Sequence, residues 1–112
     1  MNRKRILFIC SRNKWRSKTA ETIFKNSQES IVKSAGTSKS AEIKITRNLI
    51  DWADEIYVME RKHKEIIEKK YGRMKDKLSI LNIPDEYQYM DDELISELKS
   101  LVNIKWKRAI IE

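Results

Sequence analysis

Residues 6–17 read I-L-F-I-C-S-R-N-K-W-R-S. Four apolar residues lead into Cys10, the only cysteine of the 112-residue chain, and Arg16 and Ser17 follow six and seven positions later. A short apolar run of this kind is typical of a buried strand, and the apolar spacing after Ser17 is typical of a helix. The stretch therefore predicts a strand, a loop and a helix, with a thiol and a guanidinium group brought together by the loop.

Apolar runs and helical patterns continue to alternate along the chain. The runs that predict buried strands are Arg5–Ile9, Ser30–Ser34, Glu55–Met59 and Leu78–Ile83. The segments that predict helices are Ser17–Lys25, Ser40–Trp52, Arg61–Tyr71 and Asp91–Ile111. This alternation favours a three-layer α/β fold, in which a parallel sheet carries helices on both faces. The length of the chain predicts one domain over residues 1–112.

The net charge of +7 is concentrated in the half of the chain that contains Cys10. Residues 1–56 carry 12 Lys and Arg against 6 Asp and Glu, whereas residues 57–112 carry 12 against 11. The excess indicates either an ordinary solvated surface or attraction for an anionic substrate. Charge alone does not separate these two interpretations.

Composition also limits the classes of site and location. One cysteine excludes an internal disulfide and supplies no zinc cluster, so that we expect no metal. No apolar run reaches the roughly 18 residues of a membrane-spanning helix, and the basic and apolar start is too short for a signal peptide. The sequence therefore predicts a cytoplasmic protein that does not use a membrane as a partner.

The loop after the first predicted strand suits the binding of a tetrahedral oxyanion. Backbone N–H groups that lead into a helix N-terminus offset negative charge, and Arg16 offers a planar fork for two phosphate oxygens. The same positive field favours the thiolate of Cys10, and Ser17 is a candidate hydrogen-bond donor to it. The other candidate binding or loop-supporting residues are Ser11, Arg12, Asn13, Lys14 and Trp15, with Lys18 adding charge at the rim. On spacing alone, a buried structural thiol explains Cys10 equally well.

Three segments resemble the low-molecular-weight protein tyrosine phosphatases. Residues 8–21, F-I-C-S-R-N-K-W-R-S-K-T-A-E, are similar to the signature of that family, and the matching positions are Cys10, Asn13, Arg16, Ser17, Ala20 and Glu21. The S-A-G-T of residues 34–37 and the A-D-E-I-Y-V-M of residues 53–59 resemble the regions of its second and third strands. The similarity is strongest to a short branch of predicted phosphatases from bacteria and archaea.

The resemblance implies a fold and a reaction. The fold is a four-stranded parallel sheet in the order 2-1-3-4 with helices on both faces. The reaction is hydrolysis of phosphomonoesters, without a cofactor, through a thiophosphate intermediate on Cys10 with Arg16 binding the phosphate. The chain departs from the family pattern at Arg12, where longer relatives have Gly, at Lys18, where Pro is usual, and at Trp15, where many have a second cysteine. Oxidised Cys10 therefore has no partner within this chain.

The leaving group of such a reaction needs a proton donor, usually a carboxylic acid across the pocket. The family carries this acid as an Asp after the fourth strand, with an aromatic residue two positions later, and Asp85 with Tyr87 fits that spacing. Glu86 stands where the family usually has Pro, so that Asp91 remains a second candidate. For Asp91 we favour the alternative role of a helix N-cap.

Aromatic residues near the predicted pocket suit an aryl phosphate. Tyr87, Tyr89 and Trp15 are candidates to line the pocket and stack on the substrate, or to pack against the last helix. His63 is expected on the surface of its helix, without a catalytic role.

The leading prediction is therefore a phosphatase that acts on a phosphorylated protein, through phosphotyrosine, or on a small aryl phosphate. Inorganic phosphate or sulfate is expected to bind in the loop. A second enzymatic interpretation is an arsenate reductase that depends on an external thiol, because this chain lacks the additional cysteines of such enzymes. A third is a non-catalytic module that binds phosphate, a phosphoprotein or, less favoured, nucleic acid; binding alone would not require Cys10.

Overall fold

The computed structural model describes residues 3–25, 29–74 and 76–102. Within them, strands and helices alternate in the order β1 Lys4–Cys10, α1 Arg16–Phe24, β2 Ser30–Gly36, α2 Arg47–Trp52, β3 Glu55–Val58, α3 Arg61–Tyr71, β4 Leu78–Ile80 and α4 Asp92–Leu101. The four strands form a parallel sheet in the order β2-β1-β3-β4, which confirms the predicted order. β1 is an inner strand, and its last residue, Cys10, pairs with Gly36 of β2.

The two faces of β1 enter two separate cores. Ile6 and Phe8 pack in a cluster that includes residues of α1 and α4, whereas Leu7 and Ile9 pack in a cluster that includes residues of α2 and α3. A strand that is buried on both faces reads as a continuous apolar run, which is why β1 is so evident in the sequence. The predicted three-layer arrangement, with helices on both faces of the sheet, is thereby confirmed.

The predicted helix over Ser40–Trp52 is wrong in its first half, because α2 begins only at Arg47. The preceding segment pairs with the end of β2, since Gly36 donates to the carbonyl of Ile43 at 2.8 Å and Ile45 donates to the carbonyl of Gly36 at 3.0 Å. Thr46 is also extended and caps α2 by accepting from the N–H of Leu49 at 3.1 Å. The apolar residues of this segment are buried by strand-like pairing rather than by a helical face.

The fourth strand and the last helix are shorter than predicted. β4 ends at Ile80, because Asn82 adopts a left-handed backbone with φ 59°, although Ile83 still donates to the carbonyl of Met59 at 2.8 Å. α4 ends at Leu101, and the part of the predicted helix at 103–112 lies outside the described residues. The other boundaries lie within two residues of the predicted ones, and those of α3 coincide with them. None of the described helices combines the length and the apolar character that crossing a bilayer requires.

Candidate active site

The loop between β1 and α1, residues 11–15, lies at the carboxyl edge of the sheet, where ligands bind in open α/β folds. The segment at 37–42 binds the start of the loop. The carbonyl groups of Cys10, Ser11 and Arg12 accept from the N–H groups of residues 37, 38 and 42 at 3.0, 2.8 and 3.1 Å. The N–H groups of residues 11–16 donate to no acceptor among the described residues. Such a run of N–H groups, leading into a helix N-terminus, is an anion-binding arrangement.

Gly36, at the end of β2, allows the loop to pack this closely. A Cβ atom at this position would lie 2.4 Å from the carbonyl oxygen of Ser11 and 2.8 Å from the backbone nitrogen of Asn13. Both of these are backbone atoms, which cannot move aside without moving the loop. The S-A-G-T segment therefore shapes the loop through the missing side chain of its glycine.

Cys10 and Ser17 meet on the inner side of the loop. The Sγ atom of Cys10 lies 3.0 Å from the Oγ atom of Ser17, and both side chains are buried. The cysteine is the last residue of β1 and the serine is the second residue of α1, so that the loop between them brings the two groups together. What this contact does depends on which atom donates.

A chain of hydrogen bonds that starts at Glu21 fixes the donor. The hydroxyl of Ser34 donates to the carboxylate of Glu21 at 2.5 Å, because an ionised carboxylate only accepts. Ser34 must then accept from the side-chain amide of Asn13 at 2.9 Å, and the same amide nitrogen donates to Ser17 at 2.9 Å. Ser17 thus accepts on one side and donates its own proton on the other, where Sγ of Cys10 at 3.0 Å is nearer than the second acceptor, the carbonyl of Ala35 at 3.5 Å. The arrangement stabilises a thiolate.

Asn13 holds the centre of this chain in a conformation that suits asparagine. It is fully buried and has a left-handed backbone with φ 54°, a region that Asn tolerates better than most residues. Its Oδ1 atom has no hydrogen-bond partner among the described residues. Turning the amide over would place that oxygen against the hydroxyl oxygen of Ser34, whose proton is directed to Glu21, so that the observed orientation is the favourable one.

Arg16 is only 2% exposed, and its guanidinium group is held by hydrogen bonds on one side. Its Nη1 atom donates to the carbonyl of Ile83 at 2.7 Å and to the carboxylate of Glu60 at 2.5 Å. The Nε atom lies 3.7 Å from a carboxylate oxygen of Asp85. The edge formed by Nε and Nη2 therefore remains for the bidentate binding of an oxyanion, next to the candidate acid.

Glu60 supports Arg16 from the N-terminus of α3. Burial acts to raise the pKa of its carboxyl, but the hydrogen bond from Arg16 and the charge of that group outweigh burial, and the pKa is lowered. Glu60 is also half of a capping box, in which its side chain accepts from the backbone N–H of His63 and its own backbone N–H donates to Nδ1 of His63 at 3.0 Å.

His63 is fully buried, so that the expectation of a surface histidine is wrong. Its Nε2 atom lies 2.9 Å from the hydroxyl of Ser11 in the loop. Burial, followed by the charge of Arg16, lowers its pKa from 6.5 to about 4. The side chain is therefore a neutral imidazole at neutral pH, bonded on both nitrogens.

The two candidate acids occupy different places. Asp85 lines the pocket and keeps 60% of its side chain exposed beside Arg16. Asp91 caps α4, as we favoured, by accepting from the N–H groups of Glu93 at 2.8 Å and Leu94 at 3.4 Å, and it is not among the pocket-lining residues. The geometry thus brings Asp85, and not Asp91, to the thiol.

One pocket contains most of the candidate residues. It is lined by Cys10, Ser11, Arg12, Lys14, Trp15, Arg16 and Asp85. Asn13 and Ser17 lie behind it and support the loop. Trp15 is 38% exposed, and the ammonium group of Lys14 lies 5.4 Å from the centroid of its ring. Lys18, which we expected to add charge to the rim, instead forms an ion pair with Glu42 at 2.7 Å.

The tyrosines after β4 do not line this pocket. Tyr87 is partly buried against the core on the α1 and α4 side of the sheet. Tyr89 is exposed, and its hydroxyl is 2.8 Å from that of Thr22 on α1. Of the three aromatic residues proposed to meet a substrate, only Trp15 lies at the pocket in this structure.

The sequence pattern by itself indicates no role at the site for Ser34, Glu60 or His63. Ser34 and Glu21 stood in the quoted motifs, but nothing in the spacing showed that they bond to each other. A carboxylate three residues before a histidine at a helix start is a capping pattern, and this signal was available for Glu60 and His63. The described residues contain no group of three or more His, Cys, Asp and Glu side chains that could hold a metal ion.

A family model matches part of this chain, and several solved structures are similar to it in fold. Residues 5–55 match the family model of the low molecular weight phosphotyrosine protein phosphatases. The fold is similar to that of a YwlE mutant from Bacillus subtilis (24% identity, 97% of this chain and 99% of that chain, TM-score 0.73). It is also similar to the YwlE arginine phosphatase from Geobacillus stearothermophilus (22% identity, 97% of each chain, TM-score 0.72).

A third similar structure carries a ligand. It is the tyrosine phosphatase Wzb from Escherichia coli K30 in complex with phosphate (25% identity, 96% of each chain, TM-score 0.67). No curated protein sequence gave a match. Because the matched segment contains the loop and the fold agrees over nearly the whole chain, the chain is a phosphatase-like hydrolase that resembles the low molecular weight phosphotyrosine protein phosphatases in its fold and over residues 5–55.

Proposed function

We propose that this chain hydrolyses phosphomonoesters by way of a thiophosphate intermediate on Cys10. The observation that carries the proposal is the 3.0 Å contact in which Ser17, held as an acceptor by Asn13, directs its proton to Sγ of Cys10. A structural thiol has no need of a directed donor, whereas a thiolate nucleophile is stabilised by one.

In the first step, the thiolate of Cys10 attacks phosphorus and the bond from phosphorus to the leaving oxygen breaks. Asp85, as the carboxylic acid, gives its proton to that oxygen, so that the alcohol or phenol leaves neutral. Arg16 and the N–H groups of residues 11–16 bind the phosphoryl oxygens while negative charge is redistributed over them. No metal is required for this charge stabilisation.

In the second step, the carboxylate of Asp85 takes a proton from a water molecule, whose oxygen attacks phosphorus. The bond between sulfur and phosphorus breaks, and the thiolate of Cys10 is restored as inorganic phosphate forms. Asp85 is suited to both steps because its side chain is largely exposed at the pocket and is held near the guanidinium group that binds the transferred phosphoryl group.

The proposed substrates are aryl phosphates, either phosphotyrosine in a protein or a small molecule. Trp15 presents an exposed ring at the pocket, on which a phenyl group can stack. Arg12 and Lys14 place two positive charges at the same rim, which favours acidic sequences around the phosphorylated residue.

Hydrolysis of p-nitrophenyl phosphate tests this proposal. The wild-type chain should be active, Cys10→Ser should abolish turnover, and Arg16→Lys should lower kcat/KM by about 100-fold, since a point charge does not replace the planar fork. Lys69→Arg, at an exposed position near the C-terminal end of α3 and not among the pocket-lining residues, is the control for handling and expression. An inert wild-type chain that still binds phosphate would leave a binding module as the better description.

A second candidate substrate is phosphoarginine, because one structural relative is named an arginine phosphatase. The cationic rim of Arg12 and Lys14 argues against it, since the guanidinium portion of that substrate is itself positively charged. Two peptides that differ only in phosphotyrosine or phosphoarginine separate the candidates. We expect the higher kcat/KM with the phosphotyrosine peptide. In the double variant Arg12→Gln, Lys14→Gln, the values of kcat/KM for the two peptides should lie closer together. The arsenate reductase interpretation is tested in the same assay by arsenate and an external thiol.

A further inference from the structure

The hydroxyl of Ser11 and the imidazole of His63 form a hydrogen bond whose direction the structure determines. Nδ1 of His63 accepts from the backbone N–H of Glu60 at 3.0 Å and therefore carries no proton. The proton of the neutral ring is on Nε2, which lies 2.9 Å from Oγ of Ser11 and must donate to it. Ser11 is consequently the acceptor in this contact.

An accepting hydroxyl still has its own proton to donate. Among the described residues, Oγ of Ser11 has no hydrogen-bond partner other than His63. Ser11 directly follows Cys10 and lines the pocket with it, so that the remaining proton belongs to a hydroxyl on the wall of the phosphate-binding loop. Serine thus adds a side-chain donor to the backbone donors at this position.

We propose that Ser11 donates a hydrogen bond from its side chain to an oxygen of the bound phosphoryl group, and that His63 is the positioning residue that orients the hydroxyl for it. The proposal deepens the proposed function, because it concerns the same phosphate site. His63 contacts no substrate in this account; it acts only through Ser11, across 52 residues of sequence.

The capping box of α3 is what makes His63 suitable for this role. The helix starts at Arg61, and the third helical residue returns its side chain to the backbone N–H of Glu60, which fixes both the tautomer and the plane of the ring. Since Glu60 also holds Arg16, the start of α3 supports two phosphate-directed donors at once.

Binding of inorganic phosphate, measured by isothermal titration calorimetry at neutral pH, tests the proposal without requiring turnover. Ser11→Ala should weaken phosphate binding by about tenfold, as expected for the loss of one hydrogen bond to a charged group. His63→Asn retains an acceptor for the N–H of Glu60 but does not reach Ser11, and it should weaken binding by about threefold. Urea midpoints verify that each variant is folded.

The double variant separates positioning from a general structural effect. If His63 acts through Ser11, His63→Asn should have no further effect on phosphate binding when Ser11 is already alanine. Phosphate binding that is unchanged in Ser11→Ala would overturn the proposal, as would an equal effect of His63→Asn in both backgrounds. A wild-type chain that binds phosphate in this Ser11-dependent way but hydrolyses no ester would reject the proposed function alone, whereas a chain that binds no phosphate would reject both.

Discussion

Glu21 on α1 accepts a hydrogen bond from the hydroxyl of Ser34 on β2 at 2.5 Å. Neither side chain touches the thiol, yet this contact determines the direction of every hydrogen bond that follows. With the proton of Ser34 directed to the carboxylate, the amide of Asn13 must donate to Ser34 and to Ser17. An acidic residue thus sets the orientation of a donor to the nucleophile from the far end of a chain of neutral groups.

Glu21→Ala should therefore slow the reactions of Cys10. Without the carboxylate, Ser34 and Ser17 can both donate to Asn13 once its amide turns over, and the thiolate loses its donor. We expect alkylation of Cys10 by iodoacetamide at neutral pH to slow by about tenfold, since the thiolate is the reacting form and one hydrogen bond to a charged group is lost. Glu21→Gln, which keeps an acceptor for Ser34, should slow it less. Equal alkylation rates in wild type and both variants would show that Glu21 does not set the direction of the hydrogen bonds that lead to Cys10.

Asp85→Asn should reduce turnover in a way that depends on the leaving group. General acid catalysis contributes most when the leaving oxygen is basic, so that kcat with phenyl phosphate should fall by about 100-fold. With p-nitrophenyl phosphate, whose leaving group needs less protonation, the decrease should be smaller. The comparison of the two substrates distinguishes proton donation from a change in binding.

Asp91→Asn is the matched control for that experiment. Asparagine caps helices about as well as aspartate, so that α4 should keep its cap and the variant should keep both its stability and its turnover. A larger loss of activity in Asp91→Asn than in Asp85→Asn would show that Asp85 is not the proton donor. It would also mean that the segment after β4 rearranges to bring Asp91 to the pocket.

Gly36→Ala should disrupt the phosphate-binding loop. The new methyl group would lie 2.4 Å from the carbonyl oxygen of Ser11, and relieving that overlap requires the loop backbone to move. We expect a loss of about 3 kcal/mol in the free energy of unfolding and a loss of phosphate binding. Urea denaturation and calorimetry measure the two effects separately.

Gly72→Ala provides the contrast, because it places the same methyl group in open space. Gly72 has φ 94°, where an L-residue is strained by about 1–3 kcal/mol, but nothing lies within 4 Å of the added atom. This variant should be destabilised and still bind phosphate as the wild type does. Retained phosphate binding in Gly36→Ala would contradict the account of the loop.

The stability of the chain should fall with decreasing pH because of His63. Burial, and then the charge of Arg16, lowers its pKa from 6.5 to about 4 in the folded state. Between these values the unfolded chain binds a proton that the folded chain does not. The contribution of His63 to the free energy of unfolding is therefore complete above pH 6.5 and is lost as the pH falls toward about 4. The total loss is about 3 kcal/mol at most, at 1.36 kcal/mol per pKa unit.

Urea midpoints of wild type and His63→Asn, measured from pH 7 to pH 4.5, test this dependence. This pH range ends at 4.5 so that Glu60 does not contribute to the change. The pKa of its carboxyl is lowered in the folded state, and its contribution to stability is lost only below the ordinary value of 4.5. The variant should lack most of the decrease seen in the wild type. Parallel curves for the two proteins would show that His63 is not the group responsible.

The sheet could be predicted from the sequence because its strands are buried on both faces and need almost continuous apolar runs. The segment before α2 could not be predicted in this way. Ala41 and Ile45 are buried as a helical face would be, but they lie in a segment held to the end of β2 through Gly36. The spacing of apolar residues indicates which side chains are buried, but it does not indicate which backbone segments form hydrogen bonds with each other.

The candidate site likewise contains residues that the sequence reveals and residues that it does not. Cys10 and Arg16 lie within one short motif and could be recognised together. His63 stands in a strongly charged helix, a pattern typical of a surface, and its burial results from a contact with Ser11 that spans 52 residues. Such a contact exists only once β1 and β3 lie side by side in the sheet.

The most direct test of the central claim is to find the covalent intermediate on Cys10. Wild-type protein mixed with an aryl phosphate is quenched within the first turnover and analysed by mass spectrometry of its peptides. The account predicts a phosphoryl group on Cys10, formed together with one equivalent of the released phenol and missing in Cys10→Ser. Turnover that continues in Cys10→Ser, or a phosphoryl group on another residue, would contradict it.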